Sequence, residues 1–362
     1  MTETSTPSIS SLIQQYSRPT PLGFGQVLAP VMYRAEFKDG KWHQGSLVPY
    51  EKILISPAST ALQFAQQIFE GMKAYLVEQD SPHLFRPELN FQRLNRSANR
   101  LSMPAMDANI FGDSIHQLAM ALKEIIPGEP GQSLYFRPTV VGIDEQFSVK
   151  GSDNFTYLLM ASPSDPYFAN AIKVMVEREH CRAAVGGTGA DKVGGNYAAS
   201  LNSTLKCLEM GFDQPLWLDP VSRQNIEELS GMNFFAMIDD CLVTPTLSGS
   251  ILPGVTRDSL IRLCIHLGIE TKEQILPIDE LLKSIETGRC TEAFASGTAA
   301  IVSPIEAIGE MNGKVFDLPD TGKMANQLRT ALLDIQEGRS VDEFDWMVDA
   351  GDKPGLVERF DG

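Results

Sequence analysis

The stretch GGTGADKVGGNYAASL, residues 186–201, sets one lysine, Lys192, among five glycines and places Tyr197 five residues after it. Glycines in that number permit positive φ angles and close backbone approach, so something is expected to pack against this loop. Glycine-rich loops ahead of helices cradle phosphate. The nucleotide-binding pattern GxxxxGK[ST] nevertheless fails here, because Lys192 follows Asp191 and precedes Val193. A second reading is a Schiff-base lysine, whose amine must be held at a fixed point and kept neutral enough to attack a carbonyl. A solvated loop lysine is the plain alternative, and composition alone does not decide between them.

The rest of the chain narrows the choice. With 362 residues, 43% of them hydrophobic, the chain is long enough for two domains, each with its own core. Its 46 acidic against 30 basic residues give a formal net charge of -16. That charge opposes a grip on nucleic acid or on anionic membrane lipid, and a small-molecule partner is expected. Cys181, Cys207, Cys241, Cys264 and Cys290 are odd in number and without a CxxC, so neither a disulfide framework nor a metal site is expected. The first twenty residues are rich in Ser, Thr and Pro and read as a loose tail. No basic segment with an apolar core opens the chain and no run of about 18 apolar residues occurs, so a cytoplasmic protein is expected.

Strand-like runs (PVMYRAEF, KILISP) mix with amphipathic helices in the first half, where NFQRLNRSANRL brings Phe91, Leu94, Ala98 and Leu101 near one face. After the apolar strand FTYLLMASP, a turn-rich interval at 163–171 precedes the strand IKVMVE. The expected division is therefore 1–170 and 171–362. In the second part, helices are predicted at YAASLNSTLKCLEMG, with Leu201, Leu205 and Leu208 as its apolar positions, at VTRDSLIRLCIHLG and at GKMANQLRTALLDIQEG. Strands are predicted at PLWLD, NFFAMI, CLVTPT and EAFASG. The class is mixed α/β (α+β).

GGNYAASL with FDQPLWLD downstream resembles the segment around the catalytic lysine of the branched-chain amino acid aminotransferases, pyridoxal-phosphate enzymes of fold-type IV. FEGMKAY, LNFQRLNRSANRL, LYFRPTVVG, IEELSGMNFF, SILPGVTRDSL and ASGTAAIVSP are similar to that family's blocks in the same order, over roughly residues 20–350. The resemblance implies a small first domain and a large second domain that binds pyridoxal 5'-phosphate and carries the lysine, with the cofactor in the cleft between them. It also implies a homodimer that moves amino groups between leucine, isoleucine or valine and 2-oxoglutarate, with glutamate and branched 2-oxo acids as the other substrates. Another fold-type IV activity, such as a D-amino acid or (R)-amine transaminase or an aminodeoxychorismate lyase, is the alternative.

Residue by residue, the resemblance makes Lys192 the cofactor-bearing lysine and the shuttle for the substrate's Cα proton. Tyr197 meets the cofactor's phenolic oxygen, and Glu228 faces its ring nitrogen, with Glu227 the competing choice. Arg93 meets the phosphate, where a planar fork suits two oxygens, while Arg96 and Arg100 read as solvated. The amides of Val255 and Thr256 at a helix start and the hydroxyl of Thr298 add donors. Phe24, Phe64, Phe69, Tyr135 and Tyr167 line an apolar substrate pocket, with Val149 reaching in from the partner subunit. Thr298, Ala299 and Ala300 receive the α-carboxylate. Arg137, two residues beyond Tyr135 and on the same strand face, pairs with the γ-carboxylate of glutamate. Departures from animal members are Phe64 in place of tyrosine, Ser230-Gly231 in place of Gly-Thr, and Ala300 and Ser303 where those members carry a CxxC pair. No thiol switch is expected at the last.

Overall fold

A computed structural model describes residues 8–77, 81–167, 170–319 and 322–361. It divides into two compact units, Met1–Tyr167 with Ile335–Gly362 and Phe168–Asp334. No helix among the described residues is long and apolar enough to cross a membrane.

In the first unit an antiparallel sheet runs in the order Met347–Asp349, Ser81–Phe85, Met72–Val77, Ser133–Gly142, Phe155–Ser164, Val31–Lys38, Lys41–Trp42. Ser46–Pro49 pairs with Val31–Lys38, and Gln67–Phe69 with Ser133–Gly142. Its spine is the pair Ser133–Gly142 and Phe155–Ser164, in register from Ser133↔Ser164 to Gly142↔Phe155. Both strands are buried almost throughout, on alternate positions alike, so both faces are covered. The two-residue period of a strand puts Tyr135 and Arg137 on one face.

The second unit closes on itself. Its strands follow the order Ile226–Leu229, Gln214–Leu218, Ile172–Glu177, Ile301–Gly309, Cys290–Gly297, Asn233–Ile238, and Ile226–Leu229 then pairs back with Asn233–Ile238 through Glu228↔Asn233. This ring of six leaves no open edge between its members. Cys241–Pro245 and Thr271–Gln274 extend the sheet beyond Asn233–Ile238. Ile172–Glu177 and Gln214–Leu218 are parallel, so the chain between them must cross over, and it does so through the helix Gly194–Glu209. The Lys192 loop is the part of that crossover just ahead of the helix.

Two expectations are corrected. Residues 335–362 were expected with the lysine-bearing part, which was also expected to be the larger. They belong instead to the first unit, where Met347–Asp349 pairs with Ser81–Phe85 and Gly112, in the helix Ala108–Ala121, lies against Val357 and Phe360; the first unit is thereby the longer. KILISP forms no strand: Leu54 is fully exposed and the segment has no ladder partner among the described residues. In the helix Gly194–Glu209 the leucines face outward, Leu201, Leu205 and Leu208 being 61%, 59% and 54% exposed, while Asn196, Ser200, Ser203 and Cys207 are buried. Small side chains let this helix lie close to the sheet, with Cys207 packed against Met175 and Phe212. A face can be buried because it is small as well as because it is apolar.

Candidate active site

The Lys192 loop is fixed by bonds that do not pass through the amine. Asn196, on the first turn of the helix, donates from Nδ2 to the carbonyls of Thr188 (2.8 Å) and Asp191 (3.0 Å), and its Oδ1 accepts from Thr188 Oγ1 (2.6 Å). Gly189 sits against the Ser250 carbonyl where a Cβ would collide, which accounts for that glycine. The half-buried Lys192 donates from Nζ to Tyr197 Oη at 2.7 Å and lies 5.2 Å from the centre of the tyrosine ring. The loop ahead of the helix and the helix's first turn thus bring an amine and a phenol together.

Glu228 comes from the strand that closes the ring. It is 3% exposed and accepts from Asn233 Nδ2 (3.0 Å) and the Leu252 amide (3.1 Å), with Arg182 Nη2 at 2.6 Å. Burial pushes its carboxyl up to about 7; Arg182, the Leu252 amide and the positive charge of Lys192 oppose that shift, and Glu227 adds to it. Glu227 is buried too, but Ser248 and Ser250 donate to its Oε1 and its Oε2 has no hydrogen-bond partner. The neighbouring carboxylates thus meet different groups, as alternation along a strand requires.

Asn233 also donates to the Leu252 carbonyl (2.9 Å) and lies where a Cβ on Gly254 would fall. It therefore ties Glu228 to the start of the helix Val255–His266, whose N-cap, Gly254, offers no side-chain acceptor. The first amides of that helix, Val255 and Thr256, are of the kind that lack an intrahelical partner. Thr298, Ala299 and Ala300 form the turn between Cys290–Gly297 and Ile301–Gly309. Ile301, directly after it, has φ +62° and is 2% exposed. A β-branched residue in that region carries strain on the order of 1–3 kcal/mol, which the surrounding ladder must hold.

In the first unit, Tyr135 is 4.9 Å from Phe24, and Phe24 is 5.0 Å from Tyr167, both pairs edge-on. Arg137 donates from Nη2 to Tyr135 Oη (2.9 Å), and its guanidinium lies 4.8 Å over the Phe69 ring. Its Nε is buried without a hydrogen-bond partner, and no described carboxylate pairs with it. Phe64 and Val149 line a cavity of about 220 Å³ with Gln66, Leu101, Ser102, Lys150 and Gly151. Arg93 is buried and directs Nε and Nη2 to Glu70 at 2.7 and 2.9 Å, so this planar fork meets a carboxylate of its own chain. Arg96 and Arg100, on the same helix, are exposed.

Arg182 is the group that sequence reasoning missed. Besides Glu228, it donates to the carbonyls of Gly189 (3.0 Å) and Ser250, so one buried guanidinium joins the carboxylate to the lysine loop. No spacing marks it. Asn196, by contrast, stands inside the GGNY block and could have been singled out there.

Fold and site together define a protein of two mixed α/β units, one of which brings an amine, a phenol and a buried carboxylate to a closed sheet. The profile of the class IV amino-transferases matches residues 67–308. Branched-chain-amino-acid transaminase 1 of Bacillus subtilis (strain 168) is 39% identical over 340 residues, covering 91% of this chain and 95% of its own. The branched-chain-amino-acid aminotransferase of Mycolicibacterium smegmatis is 40% identical over 336 residues, covering 90% and 91%. Among solved structures, the T.th. branched-chain amino acid aminotransferase complexed with N-(5'-phosphopyridoxyl)-L-glutamate matches with a TM-score of 0.74 and 25% identity, over 90% of this chain and 100% of that one. The chain belongs to the class IV amino-transferase family.

Proposed function

We propose that this protein is a branched-chain amino acid aminotransferase, moving amino groups between leucine, isoleucine or valine and 2-oxoglutarate with pyridoxal 5'-phosphate as cofactor. The single observation that carries the substrate reading is Arg137: a cation set among Tyr135 and Phe69, with one buried nitrogen unpartnered and no carboxylate beside it. A half-buried cation that meets a phenol and an aromatic face but no carboxylate is suited to an incoming anion. Aromatic walls around it suit an aliphatic side chain, and the cation suits the second carboxylate of glutamate. The named relatives and the glutamate adduct in the T.th. structure support the same substrates.

The donor set fits the cofactor. Lys192 is a primary amine with a phenol at 2.7 Å, Glu228 is a fully buried carboxylate, and Gly254 begins a helix with no side-chain cap, an arrangement suited to a phosphate. Bound pyridoxal phosphate supplies a carbonyl and an electron-withdrawing ring, which protein side chains lack. Lys192 Nζ holds it and moves the proton at the substrate's Cα. Tyr197 orients that amine, and Glu228 offers a negative charge to a protonated ring nitrogen. The amides of Val255 and Thr256 and the Thr298 hydroxyl hold the phosphate, and the Thr298–Ala300 turn receives the α-carboxylate. Five cysteines without a disulfide suit the cytoplasm. A homodimer is part of this reading, in which Val149, 94% exposed in the single chain, enters the partner's pocket.

An assay with L-leucine, D-alanine and an aryl-ethylamine as amino donors tests the reading. Turnover with L-leucine and 2-oxoglutarate is expected, and D-alanine or the amine as best donor would replace it with another activity of the same fold. Arg137→Met is expected to weaken the half-reaction with glutamate by about 1.5–3 kcal/mol, the scale of a charged hydrogen bond, and to leave the leucine half-reaction within a few fold. Stopped-flow measurement of each half-reaction checks it; equal losses would assign Arg137 to the fold or to the α-carboxylate.

A further inference from the structure

Phe24 is mounted between Gly23 and Gly25, at φ +62° and +66°. A ring carried on two such residues has little backbone stiffness of its own, and its position must be set from outside. Asp165, the residue after the strand Phe155–Ser164, supplies the hold. Its Oδ2 accepts from the amides of Leu22 (3.0 Å) and Gly23 (2.9 Å), its own amide donates to the Gly23 carbonyl (2.9 Å), and its Oδ1 accepts from Gln132 Nε2 (2.8 Å). Ser164 Oγ accepts from the Gly25 amide at 3.3 Å, and Leu22 is 5% exposed. The backbone on both sides of Phe24 is thereby clamped to one strand end, two residues from Tyr167.

We infer that Asp165 is a specificity-determining positioning residue: a latch that pins the Phe24 turn against Tyr135 and Tyr167 and so fixes one wall of the amino-acid pocket. The inference rests on the branched-chain reading above. An amide bound to a carboxylate is stronger than a neutral pair, and two amides on one oxygen set both position and direction. Without them the turn samples many arrangements, and affinity for a substrate falls with the fraction of time the wall is in place. The chemistry is not expected to change, since Asp165 touches none of Lys192, Tyr197 or Glu228.

The test is a double-mutant cycle on the cofactor-loaded enzyme. Asp165→Ala is expected to raise KM for L-leucine about ten-fold with kcat within about two-fold, the scale of one lost charge-assisted bond. Phe24→Ala is expected to raise KM similarly, and the double variant no further than the worse single one, because both remove the same wall. Asp165→Asn keeps an oxygen for the two amides and recovers most of the loss. In the cofactor-free protein, hydrogen exchange at the Leu22 and Gly23 amides is expected to speed up in Asp165→Ala. An unchanged leucine KM in Asp165→Ala, or additive losses in the double variant, overturns the latch while Phe24 remains a wall. An inert Phe24→Ala overturns the pocket reading itself, and the latch with it. Should Asp165→Ala not fold, Ser164→Ala, which removes the acceptor of the Gly25 amide, enters the same cycle and is held to the same outcomes.

Discussion

Lys192→Ala is expected to purify as a colourless protein, without the yellow of bound pyridoxal phosphate, and with turnover lower by about four orders of magnitude, the upper range for a lost proton-transfer group. The fold should survive, because the loop is held by Asn196, Thr188 and the Arg182 bonds to Gly189 and Ser250, none of which uses Nζ. Absorbance, single-turnover kinetics and thermal unfolding of the cofactor-free protein check the three parts separately. Colour and turnover near the parent level would remove Lys192 from the site. A large loss of stability would make it a structural residue.

Glu228→Gln should leave a folded enzyme that binds pyridoxal phosphate about 10–100-fold more weakly, since a charged acceptor becomes a neutral one. The same variant has a signature in the cofactor-free protein. Burial raises the Glu228 carboxyl from its ordinary 4.5 to about 7. Between those values the folded protein holds a proton that the unfolded chain has released. Its contribution to stability is therefore fully present below about 4.5 and is lost as the pH rises through about 7. Glutamine does not titrate, so the stability of Glu228→Gln should be flatter across that window. Denaturant unfolding from pH 4 to 8 checks this, and parallel curves for parent and variant would mean that Glu228 does not carry the raised value.

The local chemistry was legible wherever it lay on one short stretch of chain. Lys192 and Tyr197 stand five residues apart in one family block and meet in the structure, and Tyr135 and Arg137 share the strand face that the two-residue period predicts. Of Arg93, Arg96 and Arg100, the family blocks single out Arg93, and it is the buried one of the three. Its pairing with Glu70 was not foreseen, because a partner 23 residues away leaves no periodic trace.

By itself, the sequence determined the mixed α/β class, most of the strands and helices, the family, and the glycine-rich loop that carries Lys192. All of these follow from propensities, periods and motifs that act over a few residues. Only the tertiary structure decided that Met347–Asp349 joins the first sheet and that the serine side of Gly194–Glu209 faces inward. It alone set the Phe24 turn on Asp165, left Arg137 without an acid, and joined Glu228 to the lysine loop through Arg182. These depend on which distant surfaces exclude water together and which buried charges must find partners. The pairing of Met347–Asp349 with Ser81–Phe85, more than 250 residues apart in the chain, is a choice that no local pattern encodes.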